Sequence, residues 1–103
     1  VDVFINTHHL PEKVREFVGD GSRFGLRVQY SYEPQLLGTA GALQAFHFAL
    51  SGAPFFVLYG DNLIHCDLQS IAQRHLERTP LATIALHHRD DVSTSGMVVC
   101  DEN

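Results

Sequence analysis

Short apolar runs alternate along this chain with segments of helical periodicity, and this alternation limits the folds open to it. Val1–Asn6 and Phe55–Tyr59 are continuous apolar runs, too short for helices, as in strands that are covered on both faces of a sheet. Between such runs, apolar residues recur at helical spacing, as Val14, Phe17 and Val18 do. The pattern predicts an α/β domain with a mostly parallel sheet and helices on both faces.

Local start and stop signals give the predicted elements their bounds. Pro11 suits the first turn of a helix that ends at Gly19, and Asp67 is the expected N-cap of the last helix. The predicted order is β-α-β-α-β-α-β-β. The predicted strands are Val1–Asn6, Leu26–Tyr32, Phe55–Tyr59, Leu81–Leu86 and Gly96–Cys100, and the later helices are Ala40–Leu50 and Leu68–Arg78.

Charge and composition exclude several classes of protein. The net charge is −5, and the basic residues are spread from Lys13 to Arg89, which argues against a nucleic-acid surface. No apolar stretch approaches the ~18–20 residues that a membrane helix needs, and no secretory signal pattern is visible. Cys66 and Cys100 are too few for a disulfide framework. We therefore expect a cytoplasmic protein with no membrane or nucleic-acid partner.

Ligands of open α/β sheets bind beyond the carboxyl ends of the strands, and one candidate there is Gly60-Asp61-Asn62. A carboxylate at this place is costly unless it is solvated or paired with a cation. Mg²⁺ commonly takes one or two protein carboxylates together with phosphate oxygens and waters, which suits Asp61. Gly60 would leave room for a bulky ligand. The alternative is an Asp-Asn turn that merely ends the strand.

The second candidate is the loop after the Leu26–Tyr32 strand. Its small residues open a helix with free N–H groups, and Gly38 and Gly41 let the backbone approach a flat ligand such as a nucleobase. Glu33, five residues before Gly38, could accept hydrogen bonds from ring N–H groups of a base. The alternative is a tightly packed turn without a ligand.

The seven histidines do not predict a zinc site. His8 and His9 are adjacent, as are His87 and His88, and neighbouring side chains on extended backbone point to opposite faces. We expect these histidines to face solvent.

Several ordered segments together carry a resemblance to a known family. The segments are Gly19–Gly25, Tyr30–Pro34, Leu36–Leu43 and Phe55–Asn62. In this order and spacing they closely resemble the sugar-phosphate nucleotidyltransferases, which include mannose-1-phosphate guanylyltransferases and glucose-1-phosphate thymidylyl- and uridylyltransferases. The last two predicted strands also resemble the family, so the resemblance covers essentially the whole chain.

The resemblance implies a Rossmann-like nucleotidyltransferase fold and a specific reaction. A sugar 1-phosphate would attack the α-phosphorus of a nucleoside triphosphate and release pyrophosphate. Asp61 would be the catalytic ligand of Mg²⁺, the expected cofactor. Gly38 and Thr39 would approach the base, Glu33 would face its ring N–H edge, and Gly60 would leave room for the nucleotide.

The base is predicted less directly than the reaction. An ionised Glu33 only accepts hydrogen bonds, and guanine offers adjacent N1–H and N2–H donors, which favours GTP over UTP or dTTP. The leading prediction is therefore an enzyme like mannose-1-phosphate guanylyltransferase. One alternative is a non-catalytic regulatory or scaffold relative of the same fold. Another is a metal-dependent glycosyltransferase, although these usually carry Asp-x-Asp where this chain has Asp61-Asn62-Leu63.

The resemblance also implies that residues 1–103 are the central part of a single catalytic domain. The only methionine is Met97, and N-terminal processing is the alternative explanation of a start at Val1. The family's Gly-rich phosphate loop would precede Val1, and its sugar-binding part and second metal carboxylate would follow Asn103. We expect this incomplete segment to be inactive alone, while an oligomer of the full-length protein stays open.

Overall fold

The computed structural model describes residues 1–88, 90, 93, 96 and 98–101. The chain divides into two compact units, Val1–Leu58 and Tyr59–Asn103. The first unit carries a parallel strand-helix-strand arrangement, and the second contains one long helix. The predicted α/β class is therefore confirmed, as a small and incomplete Rossmann-like arrangement.

A two-stranded parallel sheet forms the centre of the first unit. β1 (Asp2–Thr7) pairs with β2 (Arg27–Tyr32), and the two strands start and end level with each other. At their first residues the Arg27 guanidinium binds the Asp2 carboxylate through two hydrogen bonds, Nε to Oδ1 at 2.6 Å and Nη2 to Oδ2 at 2.8 Å. These bonds hold the pKa of Asp2 below its usual value. The exposed ion pair thus marks the register of the sheet.

One α-helix and one 3₁₀ helix connect the two strands. α1 (Pro11–Val18) begins at its proline and is followed by a glycine, as predicted. The 3₁₀ helix Ser22–Phe24 comes next. Gly21 precedes it at φ 85°, where a Cβ atom would lie 2.5 Å from Cγ2 of Val28. This close approach and the left-handed backbone both require glycine, which brings the connection tightly against β2.

Residues 38–50 form three consecutive helical turns where a helix was predicted. They are α2 (Gly38–Gly41), a 3₁₀ helix (Ala42–Phe46) and α3 (His47–Leu50). Phe46 packs against Phe4 of β1, with ring centroids 5.1 Å apart. This aromatic contact holds the helical segment against the sheet.

The best protected place in the first unit is the end of the sheet. Among the described residues no apolar side chain is fully buried, whereas Thr7 is 5% exposed and Glu33 is 4% exposed. Thr7 ends β1, and Glu33 follows β2 directly. Buried polar groups need hydrogen-bond partners, so this end of the sheet must be closely organised.

Three predicted strands do not form, which corrects the sequence interpretation. Residues 55–59 and 81–86 take part in no strand pairing, and their large apolar side chains are exposed, Phe55 by 47%. Gly96 and residues 98–100 are not in a strand either, and Met97 lies outside the described residues. An apolar run becomes a strand only where a neighbouring backbone supplies hydrogen-bond partners, and the described residues supply none here.

The second unit contains α4 (Leu68–Arg78), with the bounds that the sequence predicts. Asp67 is its N-cap: Oδ1 accepts from the backbone N–H groups of Gln69 at 3.0 Å and Ser70 at 3.2 Å. Oδ2 accepts from the Ser70 hydroxyl at 2.7 Å. No helix in the described part of the chain is long and apolar enough to cross a membrane.

The cap makes the stability of α4 depend on pH. The Ser70 hydroxyl, together with the capped N–H groups, lowers the pKa of Asp67 below its ordinary 3.8. Because the pKa of Asp67 is lower in the folded state, the cap stabilises α4 fully above pH 3.8. This contribution to the stability of α4 is lost as the pH falls below that value. We expect the circular-dichroism signal at 222 nm to weaken over that range. Asp67→Asn keeps a capping side chain that does not titrate, so equal acid sensitivity of the two proteins would contradict this cause.

Candidate functional site

The five sequence-predicted site residues fall in both units. Glu33, Gly38 and Thr39 belong to the first unit, where Thr39 lies in α2. Gly60 and Asp61 belong to the second unit. The predicted site is therefore divided into two groups, each with its own local geometry.

Glu33 is held through its carboxyl group at the end of the sheet. Its Oε1 accepts from Nδ2 of Asn6 at 3.2 Å, and its Oε2 accepts from the backbone N–H of Leu37 at 3.3 Å. The first bond joins Glu33 to β1, and the second joins it to the loop before α2. A carboxylate has about four lone-pair sites, so these two bonds leave acceptor capacity on both oxygens.

The main chain of Glu33 is held equally well. Its N–H donates to the Thr7 carbonyl at 2.8 Å, which continues the pairing of the sheet by one residue. Its carbonyl oxygen lies 2.7 Å from Nδ1 of His8. A carbonyl only accepts, so this ring nitrogen carries the proton and donates. All four polar groups of Glu33 are thus bonded, three of them by the consecutive residues Asn6, Thr7 and His8.

The sequence did not predict that Asn6 and His8 bind Glu33, and His8 was expected only to face solvent. His8 is indeed exposed, yet its ring binds the residue that the sequence singled out. The signal that could have found these contacts is register. If β1 and β2 run parallel and level, the last residues of the two strands and the residues that follow them must lie side by side at the same edge.

An open depression of about 480 Å³ lies beside Glu33. Its walls come from the end of β2, the following loop and the 3₁₀ helix of residues 42–46. The lining residues are Ser31, Tyr32, Glu33, Pro34, Gln35, Leu37, Gln44 and Ala45. Both apolar and polar side chains line this depression, which is open to solvent.

The two glycines near this depression are required for different reasons. Gly38 has φ 77°, a left-handed conformation, and no atom lies within 4 Å of where its Cβ would be. Gly41 has helical angles, but a Cβ there would lie 2.5 Å from Cβ of Leu37. Gly38 therefore provides the turn and open space, whereas Gly41 lets α2 pack against Leu37, which lines the depression.

Gly60 and Asp61 form a turn, closed by the Asn62 N–H donating to the Tyr59 carbonyl at 3.2 Å. The Asp61 side chain is exposed and makes no hydrogen bond or ion pair with the described residues. Its hard oxygen donors suit Mg²⁺. The described residues contain no group of three or more His, Cys, Asp or Glu suited to a metal, but Mg²⁺ often takes one carboxylate with phosphate oxygens and waters.

The chain as a whole is similar in sequence to known proteins. Residues 1–103 match the family model described as nucleotidyl transferase. The chain is 34% identical to the UTP–glucose-1-phosphate uridylyltransferase of Synechocystis, over 98% of this chain and 29% of that protein. It is 33% identical to the glucose-1-phosphate thymidylyltransferase of Streptomyces antibioticus, over 88% of this chain and 26% of that protein.

A third relative carries a different base in its name. The mannose-1-phosphate guanylyltransferase catalytic subunit beta of Drosophila melanogaster is 32% identical, over 86% of this chain and 25% of that protein. The chain thus spans less than a third of the length of these relatives, and their names cover three bases and two sugars. No solved structure gives a significant match.

Proposed function

This chain belongs to the nucleotidyl transferase family, and on that basis we propose that it is part of an enzyme that makes a nucleotide sugar. An oxygen of a sugar 1-phosphate attacks the α-phosphorus of a nucleoside triphosphate. The bond between the α-phosphorus and its bridging oxygen to the β-phosphate breaks, and pyrophosphate leaves. Such a transfer depends mainly on positioning and charge neutralisation, so the protein's task is to hold both reactants in line.

The 103 residues then form the central part of one catalytic domain. Two observations support this. The chain matches under a third of each relative's length, and the apolar run 55–59 is exposed and unpaired. An exposed apolar run of this kind is what a central strand becomes when its neighbours are missing. We accordingly expect full activity only from the complete domain.

The observation that carries the nucleotide assignment is the acceptor character of Glu33 at the wall of the depression. Both of its oxygens already accept one hydrogen bond and have a second lone-pair site. Because Glu33 is only 4% exposed, a base has to reach these sites from the depression that Glu33 lines. Guanine offers N1–H and N2–H side by side, so it can bind both oxygens. Uracil and thymine offer only N3–H, flanked by carbonyl oxygens that repel a carboxylate. We therefore propose GTP as the preferred nucleotide and a mannose-1-phosphate guanylyltransferase-like reaction.

Asp61 is the proposed ligand of Mg²⁺. Its unpartnered carboxylate stands in a glycine-containing turn that leaves space beside it. When bound there, the ion would neutralise charge on the phosphates. Gly60, with no atom within 4 Å of where a Cβ would lie, leaves room for the triphosphate.

The test is a matrix of nucleotides and sugar 1-phosphates assayed for pyrophosphate release with Mg²⁺. We expect the complete protein to turn over GTP with mannose 1-phosphate at the highest kcat/KM. We expect UTP and dTTP to fall about tenfold lower, the cost of losing one hydrogen bond to a charged acceptor. A higher kcat/KM with UTP or dTTP would overturn the base assignment while leaving the reaction intact.

Two other outcomes would overturn the reaction itself. No turnover with any pair, from a protein that is folded, would favour the regulatory or scaffold alternative. Transfer of sugar from a nucleotide sugar to an acceptor, without pyrophosphate release, would favour a glycosyltransferase. The 103-residue chain assayed alone serves as the matched control, and we expect it to be inactive.

A further inference from the structure

The hydrogen bonds around Glu33 link β1 to the wall of the depression. Asn6 and His8 together form what we call the Glu33 clamp. Asn6 binds the carboxyl group, and His8 binds the main-chain carbonyl. Glu33 in turn accepts from the N–H of Leu37, so the clamp is connected through one residue to the loop before α2.

We propose that the Glu33 clamp positions the nucleotide pocket, so that Asn6 and His8 set the affinity for the base without touching it. This inference rests on the proposed function. Without Asn6, Oε1 loses its only protein donor among the described residues, and the carboxyl group is free to rotate. Rotation breaks the bond from Leu37 and releases the loop that lines the depression.

The location of the two side chains makes a positioning role separable from a role in folding. Asn6 and His8 are exposed, whereas Glu33 is almost completely buried. Truncating an exposed side chain leaves no cavity in the sheet, so the expected change is the loss of one hydrogen bond to Glu33, whose cost in stability is measured separately as the free energy of unfolding. Neither side chain lines the depression, and both bind Glu33, so we expect an effect of these substitutions on nucleotide binding to pass through Glu33.

The first experiment compares variants of the complete protein by steady-state kinetics. We expect Asn6→Ala and His8→Leu each to raise the KM for the nucleotide about tenfold, because a buried acceptor loses its donor. The KM for the sugar 1-phosphate and kcat should stay within about twofold, because neither residue contacts the reacting atoms. His8→Asn should restore a normal KM, since its amide N–H can take the place of Nδ1–H.

Tyr30→Phe is the matched control. It also removes one hydrogen bond from β2, the 2.7 Å bond from the Tyr30 hydroxyl to the Gly19 carbonyl, but this bond is not connected to Glu33. We expect its kinetics to equal those of the wild type. If Tyr30→Phe raises the nucleotide KM as much as Asn6→Ala does, the clamp is merely structural and the inference fails.

The second experiment needs no activity. Hydrogen exchange of the Leu37 amide reports its bond to Glu33 directly, and it should accelerate in Asn6→Ala but not in Tyr30→Phe. Unchanged nucleotide KM and unchanged Leu37 exchange in folded Asn6→Ala would overturn the positioning role alone. A wild-type protein without nucleotidyl transfer would overturn the proposed function, and the positioning of a nucleotide with it. The two failures are therefore distinguishable.

Discussion

Asp61→Asn in the complete protein should lower kcat about a thousandfold, the largest effect that we expect from any single substitution. The neutral amide would replace the charged oxygen of the proposed ligand, so we expect Mg²⁺ to bind more weakly and in a less defined position. Because Asp61 makes no bond to the described residues, the loss cannot come from a broken contact among them. Initial rates of pyrophosphate release across a Mg²⁺ titration measure the loss of kcat. The Mg²⁺ concentration that gives half the maximal rate should also rise.

Asp20→Asn is the control for Asp61→Asn. Asp20 is also an exposed turn aspartate, and its Oδ1 accepts from the Ser22 N–H at 2.9 Å, a bond that asparagine can keep. The two substitutions remove the same charge, but only one removes the proposed ligand. Near-wild-type activity of Asp61→Asn at ordinary Mg²⁺ would exclude Asp61 as a metal ligand.

Elements with strong local signals were predicted well from the sequence. The N-cap at Asp67 fixes the start of α4, and Pro11 fixes the start of α1, because each acts on backbone groups within one turn. β1 and β2 were also predicted to within about one residue, since the β-α-β unit that joins them is complete within this segment.

The wrong predictions concern predicted strands that have no pairing partner among the described residues. Residues 55–59 are as apolar as a central strand should be, yet no described residue pairs with them. Apolar periodicity indicates what a segment can bury, whereas strand formation depends on a second backbone. Residues 81–86 are likewise apolar but form no strand with the described residues.

In the candidate site, residues of one contiguous loop were predicted, whereas residues brought to it from another strand were missed. Glu33 and Gly38 were singled out from a contiguous loop, and both lie at or next to the depression. Asn6 and His8 were missed because their contacts with Glu33 depend on the register of two strands. A register depends on both strands and on their connection, so the pattern along either strand alone does not determine it.

Gly38→Val should raise the KM for the nucleotide roughly thirtyfold, as an overpacking cost of about 2 kcal/mol implies. Gly38 follows Leu37 at the depression, and no atom lies within 4 Å of where its Cβ would be. A valine side chain would fill space that the proposed base needs. Nucleotide binding by isothermal titration, alongside steady-state KM, measures the effect.

Backbone strain is the competing cause, because Gly38 has φ 77° and any L-residue there is strained. Gly25→Val controls for it: Gly25 has φ 69° and equally open surroundings, but it lies between the 3₁₀ helix and β2. Both variants should lose stability alike, and only Gly38→Val should lose nucleotide affinity. Gly38→Ala separates the two causes further, since it carries the strain with less bulk. If Gly38→Ala raised KM as much as Gly38→Val, strain would be the cause, and Gly38 would have no place beside the base.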